Sequence, residues 1–303
     1  MLRDSVRMKA YSEAMRSLIK PNDVVVDVGT GTGILAFLAV NYGAKQVYAI
    51  DRSRIIDYAK RVKELNCPDA PVSFLQHDIL RGNPLETKAT IAICELFGNF
   101  GIDENVVNIL AKVRHEWLTS DGRVVPETLE LVAAPVQCTT GYREIASWNN
   151  NEYGIDFSPM QQLAYNAIYQ VTGEPVRLLG TAKTLAHIDF TTDITLPKKL
   201  CANYTIVKEG TLHGVAGWFR SKLAPGHYLD TGPESPPTHW GQVLFPIGDP
   251  INVRKGGRVS MQFKEILKDN ESQWYWSGKI QPSPNPKTSR DFSYTASRRF
   301  FDA

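Results

Sequence analysis

Val24-Val25-Val26-Asp27-Val28-Gly29-Thr30-Gly31-Thr32-Gly33 is an apolar run that breaks into three alternate glycines ahead of Ile34. Its valines read as a strand buried on both faces, and Ile34 to Tyr42 reads as a helix ended by Gly43. Glycines between such a strand and helix let the backbone come close to a ligand at the first strand–helix turn. Ahead of this unit, Leu2 to Leu18 is helical in composition, without Gly or Pro. After it, Gln46 to Ile50, Val72 to Leu75 and Ala89 to Cys94 read as strands, and Ser53 to Leu65 and Asn105 to Leu118 as helices. Alternation at this spacing predicts an α/β domain over residues 1–123, a Rossmann-like parallel sheet covered on both faces.

Beyond Asp121-Gly122 the pattern changes. Leu129 to Val136, Leu200 to Val207, Val243 to Phe245, Val259 to Ile266 and Gln273 to Ile280 are strand-like. Val259, Met261 and Phe263 alternate with polar neighbours, as in a half-buried antiparallel strand. A second, β-barrel-like domain is expected over residues 124–303. Within it, Phe157, Met160, Leu163, Ala164 and Ile168 recur at helical spacing between Asp156 and Val171. That predicts a helical arm at about 150–180, whose apolar face would be covered by a partner subunit or by its own domain.

The bulk properties narrow the classes. At 303 residues, 43% hydrophobic and 22% charged, the chain has ample core for one large domain or two ordinary ones. A net charge of +2 gives no footprint for non-specific binding to nucleic acid or membranes. Cys67, Cys94, Cys138 and Cys201 are widely separated, and His77, His115, His187, His213 and His227 show no ligand spacing, so no metal is expected. Thiols without disulfide spacing, no spanning apolar stretch and no signal-like N-terminus predict a cytoplasmic protein.

A dinucleotide fingerprint G-x-G-x-x-G would need a glycine at position 34, where Ile34 stands. Asp27, two places before Gly29, with the spacing Gly29, Gly31, Gly33, instead resembles the motif of S-adenosylmethionine (SAM)-dependent methyltransferases. In those enzymes the turn packs against the amino-acid and ribose portions of the ligand. Asp51 then ends the second strand where a carboxylate can accept ribose hydroxyls, and Asp78 follows the third strand where it can receive an adenine amino group. An acid at 51 suits NAD enzymes too, and Asp78 reads equally as a solvated strand end.

After the fourth strand comes Cys94-Glu95-Leu96-Phe97-Gly98-Asn99-Phe100-Gly101-Ile102-Asp103-Glu104. Two carboxylates at a strand mouth, joined by a turn with two glycines, form a clamp for one planar cation, and a guanidinium matches carboxylates bidentately. This loop, together with Thr238-His239-Trp240 preceded by Pro233-Glu234-Ser235-Pro236-Pro237, resembles the protein arginine methyltransferase family. So do Met1-Leu2-Arg3-Asp4-Ser5-Val6-Arg7 with Tyr11, and Tyr153-Gly154-Ile155-Asp156-Phe157. The resemblance runs from residue 1 into the C-terminal strands.

It implies SAM-dependent methylation of an arginine guanidino nitrogen, most directly in protein substrates, by a homodimer joined through the arm. Carried onto this chain, Glu95 and Glu104 hold and polarise the guanidinium, and His239, paired with Asp4, accepts the proton, its pKa raised by that carboxylate. Arg7 binds the SAM carboxylate, and Trp240, Phe100 and Asn99 meet the substrate. Asp4, Arg7 and Tyr11, at i, i+3 and i+7, share one helix face. Two departures stand out. The family's earlier helix with paired aromatics precedes the point where this chain starts. The loop interior Gly98-Asn99-Phe100 is closer to the symmetric dimethylating branch than to the Met-Gly-Tyr of the asymmetric one, whereas Met1 matches the asymmetric branch, so the product type stays open. Free arginine or a small guanidino compound is an alternative substrate, and a non-catalytic SAM-binding scaffold a further alternative. Base methylation of nucleic acid is disfavoured, because Glu95-Leu96-Phe97-Gly98 stands where Asn/Asp-Pro-Pro-aromatic is expected.

Overall fold

In a computed structural model of the chain, residues 1–149, 153–173, 176–192, 198–268, 271–285 and 288–296 are described. The first domain runs α1 (Ser5–Leu18), β1 (Val24–Val28), α2 (Ile34–Asn41), β2 (Gln46–Asp51), α3 (Ile55–Asn66), β3 (Val72–Gln76), β4 (Ala89–Cys94), α4 (Val106–Lys112) and β5 (Leu118–Val125). Its strands form one parallel sheet in the order β3-β2-β1-β4-β5. The chain's winding reverses between β1 and β4, which opens a crevice at their C-terminal ends. β1 and β4 lie at the centre, so Val25, Val26, Val28, Ile91, Ala92 and Ile93 are fully buried. The helix predicted to reach Leu118 stops earlier: α4 ends at Lys112 and a wider turn carries Val113–Trp117. Leu118 is taken by the sheet, opposite Ala89.

The second domain comprises β6 (Thr128–Gln137), α5 (Thr139–Ala146), α6 (Ser158–Ala164), β7 (Tyr169–Val171), β8 (Arg177–Leu178), β9 (Lys183–Asp189), β10 (Leu200–Thr205), β11 (Gly210–Ala224), β12 (His227–Asp230), β13 (Gln242–Val253), β14 (Arg258–Lys268), β15 (Glu271–Gln281) and β16 (Arg290–Ala296). One antiparallel sheet has the path β7-β13-β11-β6-β8, with β9 on β6 and β12 on β11; the other has the order β10-β14-β15-β16. The sheets face each other across aromatic rings, with Phe245 4.9 Å from Phe263 and 5.5 Å from Trp276 in edge-on packing. This is the barrel-like domain. α1 packs against α2 and against β11 and β12, so it touches both domains.

The apolar spacing from Asp156 to Val171 does not make one helix. α6, with Pro159 in its first turn, covers Ser158–Ala164, and Tyr169–Val171 leaves as β7 to pair with β13. A second short helix, α5, was not expected; its Tyr142 and Ile145 pack with Ala164 and Tyr165. Residues 150–152 and 174–175 of the expected arm lie outside the described residues. Met160 and Leu163 stand outward, 39% and 37% exposed. Among the described residues no helix is long and apolar enough to cross a membrane, and no His/Cys/Asp/Glu group could hold a metal ion.

Candidate active site

The C-terminal edge of the parallel sheet collects what the sequence had spread between positions 29 and 104. Gly29 follows β1, Asp51 closes β2, Asp78 follows β3 and Glu95 follows β4. A cleft of about 850 Å³ runs along this edge; Gly29, Asp51, Asp78 and Leu96 line one part, and Asn99, Glu104, Gln170 and Trp274 another.

The glycine turn is shaped from below. Asp27 is 1% exposed and accepts a 2.5 Å hydrogen bond from the Thr30 hydroxyl and another from the Ala36 N–H. Burial pushes its carboxyl up to about 7, against those two hydrogen bonds. Asp27 is not among the lining residues, so it fixes the turn rather than facing a ligand. Gly29 has φ +75°, and a Cβ there would stand 2.6 Å from Leu96 Cδ2, so position 29 takes glycine both for its backbone and for its close neighbour. Gly31 and Gly33, also at positive φ, continue the turn, and the Gly31 N–H donates to Asp51 Oδ2. Asp51 Oδ1 receives Ser53, leaving Oδ2 with acceptor capacity toward the cleft. Asp78 caps the short turn Ile79–Arg81 and remains on the cleft wall.

α1 brings the second group. Asp4 is its N-cap: Oδ1 accepts the Arg7 N–H at 3.0 Å. Asp4 Oδ2 accepts the His239 backbone N–H at 3.0 Å and lies 3.3 Å from His239 Nδ1. Burial works to raise the Asp4 pKa, but the Arg7 and His239 backbone N–H groups, the His239 ring and the Arg7 charge outweigh it, and the net shift is downward. His239 departs from expectation. Burial and then the Arg7 charge lower its pKa below the ordinary imidazole value, more strongly than Asp4 raises it. The ring is therefore neutral at physiological pH, and with Nδ1–H on Asp4 its other nitrogen is an acceptor.

Arg7 is 5% exposed and its Nη1 bonds Glu95 Oε2 at 3.0 Å. Its guanidinium lies 4.7 Å from the Trp240 ring centroid. Arg7 Nε is buried and has no hydrogen-bond partner among the described residues. Such a buried donor held at the end of β4, with a glycine turn and two acids following neighbouring strands at the same edge of the sheet, suits an amino-acid carboxylate with a nucleoside attached, so the residues present fit SAM. Tyr11, one turn further along, donates to the Cys94 carbonyl at 2.9 Å and ties the helix to the end of β4.

Glu95 is 11% exposed, and its carboxyl is pushed up to about 7 by burial; Arg7 pulls it down and the negative charge of Glu104 adds to the rise. The two charges therefore act on each other, although Glu95 itself does not line the cleft. Glu104, on the cleft wall, is exposed.

Phe100 borders the cleft while packing into the core, whereas Trp240 does not line the cleft. Phe100 is 1% exposed and its ring packs against Phe245, Phe263 and Trp274, because the barrel core opens beneath the loop at Gly217. Trp240 is equally buried; its Nε1 donates to the Phe97 carbonyl and its ring forms the floor under Arg7, not a channel wall. Asn99 remains exposed on the cleft rim. Sequence reasoning missed Asp103, which accepts the Phe100 N–H and Trp274 Nε1, both at 2.6 Å, and so braces the turn that carries Glu104. The clue was an acid beside Glu104, next to a glycine with no room for a side chain: a Cβ on Gly98 would meet Asp103 Cβ at 2.4 Å.

The profile of the arginine methyltransferase oligomerization subdomain matches residues 128–274, and that of ribosomal protein L11 methyltransferase matches residues 10–124. The chain is 30% identical over 304 residues to probable protein arginine N-methyltransferase 6 of Arabidopsis thaliana, covering 84% of this chain and 69% of that protein. It is 27% identical over 311 residues to protein arginine N-methyltransferase 1 of Chlamydomonas reinhardtii, covering 99% and 84%. Its fold is similar to a chain of the Trypanosoma brucei PRMT1 enzyme–prozyme heterotetrameric complex with AdoHcy, with a TM-score of 0.85 and 25% identity over 98% of this chain and 96% of that one. Relatives aligned over most or nearly all of the chain, one of them 30% identical, lead to one assignment: the chain belongs to the protein arginine N-methyltransferase family.

Proposed function

We propose that this protein transfers methyl groups from SAM to the guanidino nitrogen of arginine carried in protein substrates. The observation that carries the proposal is Glu104 on the wall of the cleft that Gly29 also lines, with Glu95 at the end of β4 near enough for the two charges to act on each other. The cleft continues past Glu104 to Ser272 and Trp274, room suited to an arginine presented on a chain.

Arg7, the Gly29 turn, Asp51 and Asp78 would hold SAM, which when bound would supply an electrophilic methyl group. The residues of this chain prepare the nucleophile. Stripping a proton from arginine at pH 7 costs about 7–9 kcal/mol, from its pKa of about 12.5–13.8. Glu95 and Glu104 avoid that cost by holding the cation and drawing its charge toward the nitrogens they face, which leaves the remaining terminal nitrogen richer in electrons. Fixing that nitrogen in line supplies much of the rate. His239, neutral and oriented by Asp4, takes the proton as the methyl arrives.

The pH dependence follows. Glu95 must be ionised, and its carboxyl titrates at about 7. His239 is shifted the other way, so its protonation sets in at lower pH. The expected kcat/KM therefore rises about tenfold per pH unit below 7 and levels off above it. His239→Gln should lower the plateau while keeping that limb. If the limb disappears with His239, it belongs to the imidazole and the assignment to Glu95 is wrong.

Assays with labelled SAM on free arginine, an arginine-rich peptide and a basic protein test the substrate. Transfer to the peptide and protein supports the proposal, whereas transfer to free arginine alone assigns a small-molecule enzyme. SAM binding without transfer to any of them leaves the scaffold reading.

The arm supports a homodimer. Tyr153, Ile155, Met160 and Leu163 are exposed on it, and Tyr58, Val62 and Leu65 form a second exposed apolar stripe along α3. Each would be covered if the arm of one copy lay on α3 of another. The double change Met160→Glu and Leu163→Glu should give a monomer in sedimentation; a dimer of undiminished stability would remove the arm from the interface.

A further inference from the structure

Gln170, on β7, was not singled out by any motif, yet it reaches both loops of the site. Its Nε2 donates to the His239 carbonyl at 2.8 Å and the Trp240 carbonyl at 3.0 Å, and stands 3.5 Å from Asn99 Oδ1. The two strong bonds use both hydrogens of the amide. Around them, β7 itself forms the bed of the loop: Val171 pairs with Gln242 and Gln170 with Val243. Gly241 has φ +54°, and a Cβ there would lie 2.1 Å from the Val171 carbonyl oxygen, so the Thr238–Gly241 turn rests directly on the β7 backbone.

The imidazole needs such a bed. It is 48% exposed, and its own contact with Asp4 is long, at 3.3 Å. A half-exposed ring on one long hydrogen bond is placed chiefly by the backbone that carries it. We propose that Gln170 is a positioning residue for His239, holding the His239–Trp240 carbonyls so that the imidazole stays against Asp4. The proposal rests on the reading of His239 as proton acceptor. It also makes the strand leaving the helical arm a direct support of the chemistry.

The test uses the full-length protein with Gln170→Met, which keeps length and removes the donors, and Gln170→Lys, which keeps a donor. The His239 ring is followed by nitrogen-15 NMR titration, its signal assigned by loss in His239→Gln, alongside methyl transfer. The groups acting on the ring are Asp4, which raises its pKa, and Arg7 and the Met1 amino group, which lower it together with burial. Release of the loop exposes the ring, so in Gln170→Met the His239 titration should move up toward the ordinary imidazole value. Turnover should fall about tenfold with KM for the guanidino substrate changed less than about twofold. Gln170→Lys should retain most of both. A His239 titration unmoved in Gln170→Met overturns the proposal whatever happens to turnover. If the titration moves while the unaltered protein transfers no methyl to arginine, the positioning role stands and the arginine-methylation reading fails.

Discussion

Glu95→Gln and Glu104→Gln each lower methyl transfer by roughly 10²–10³-fold, the loss typical when one preorganised electrostatic group is removed. Gln keeps the shape of Glu and an oxygen acceptor, so the guanidinium can still bind. What disappears is the negative charge that draws the cation's positive charge away from the reacting nitrogen. SAM affinity, measured by calorimetry, should change little for Glu104→Gln, because Glu104 lies on the cleft beyond the glycine turn. Glu95→Gln should weaken it more, because Arg7 loses its 3.0 Å partner. Either variant turning over at near the normal rate would sink the polarising mechanism.

Arg7→Leu destabilises the fold by about 3–5 kcal/mol at pH 8.5, the cost of leaving one member of a buried ion pair alone. Glu95 is 11% exposed and its charge has few other partners to turn to. The sign of the pH dependence identifies the cause. Burial already raises the Glu95 carboxyl to about 7 while Arg7 holds it down, so removing Arg7 raises it further. A carboxyl whose folded pKa lies above its unfolded value binds its proton more tightly in the native state, so stability declines as pH rises from the unfolded value to the folded one. The melting temperature of Arg7→Leu should therefore drop more steeply than that of the unaltered protein between pH 6 and 9. Parallel curves would show that packing over Trp240, not the unpaired carboxylate, dominates. The same variant should lose SAM binding, and the acid limb of any residual activity should move upward.

The first domain was legible because parallel strands buried on both faces write themselves as unbroken apolar runs, and Gly29, Asp51 and Asp78 mark their ends. The barrel was only half legible. β11, its longest strand at 15 residues, escaped because Gly214 and Gly217 interrupt any alternation. Those glycines are required by packing: a Cβ at 214 would meet the Phe245 carbonyl oxygen at 2.3 Å, and one at 217 the Phe100 ring at 2.6 Å. Local sequence cannot announce what a residue a hundred positions away will press against. For the same reason Trp240 reads as a substrate contact, although its ring packs on Phe97 where the two domains meet, and Phe100, which borders the cleft, also packs on Trp274. Asp4 and His239 were paired through family resemblance, whereas the downward shift of the imidazole depends on burial and on Arg7, both set by tertiary structure. Gln170 carried no signal, since its partners are backbone carbonyls, which any sequence provides.

One carboxylate both starts α1 and seats the proton acceptor: Asp4 gives one oxygen to the Arg7 N–H and the other to His239. Arg7 and Tyr11 hang from the same helix. If the first turn frays, the cap, the counter-ion of Glu95 and the seat of His239 are lost in a single event. Individual molecules are then either fully competent or silent, with no slow intermediate class. On warming, turnover should fail along the curve of helix fraying and ahead of global melting, which makes the rate itself a thermometer of the first eleven residues.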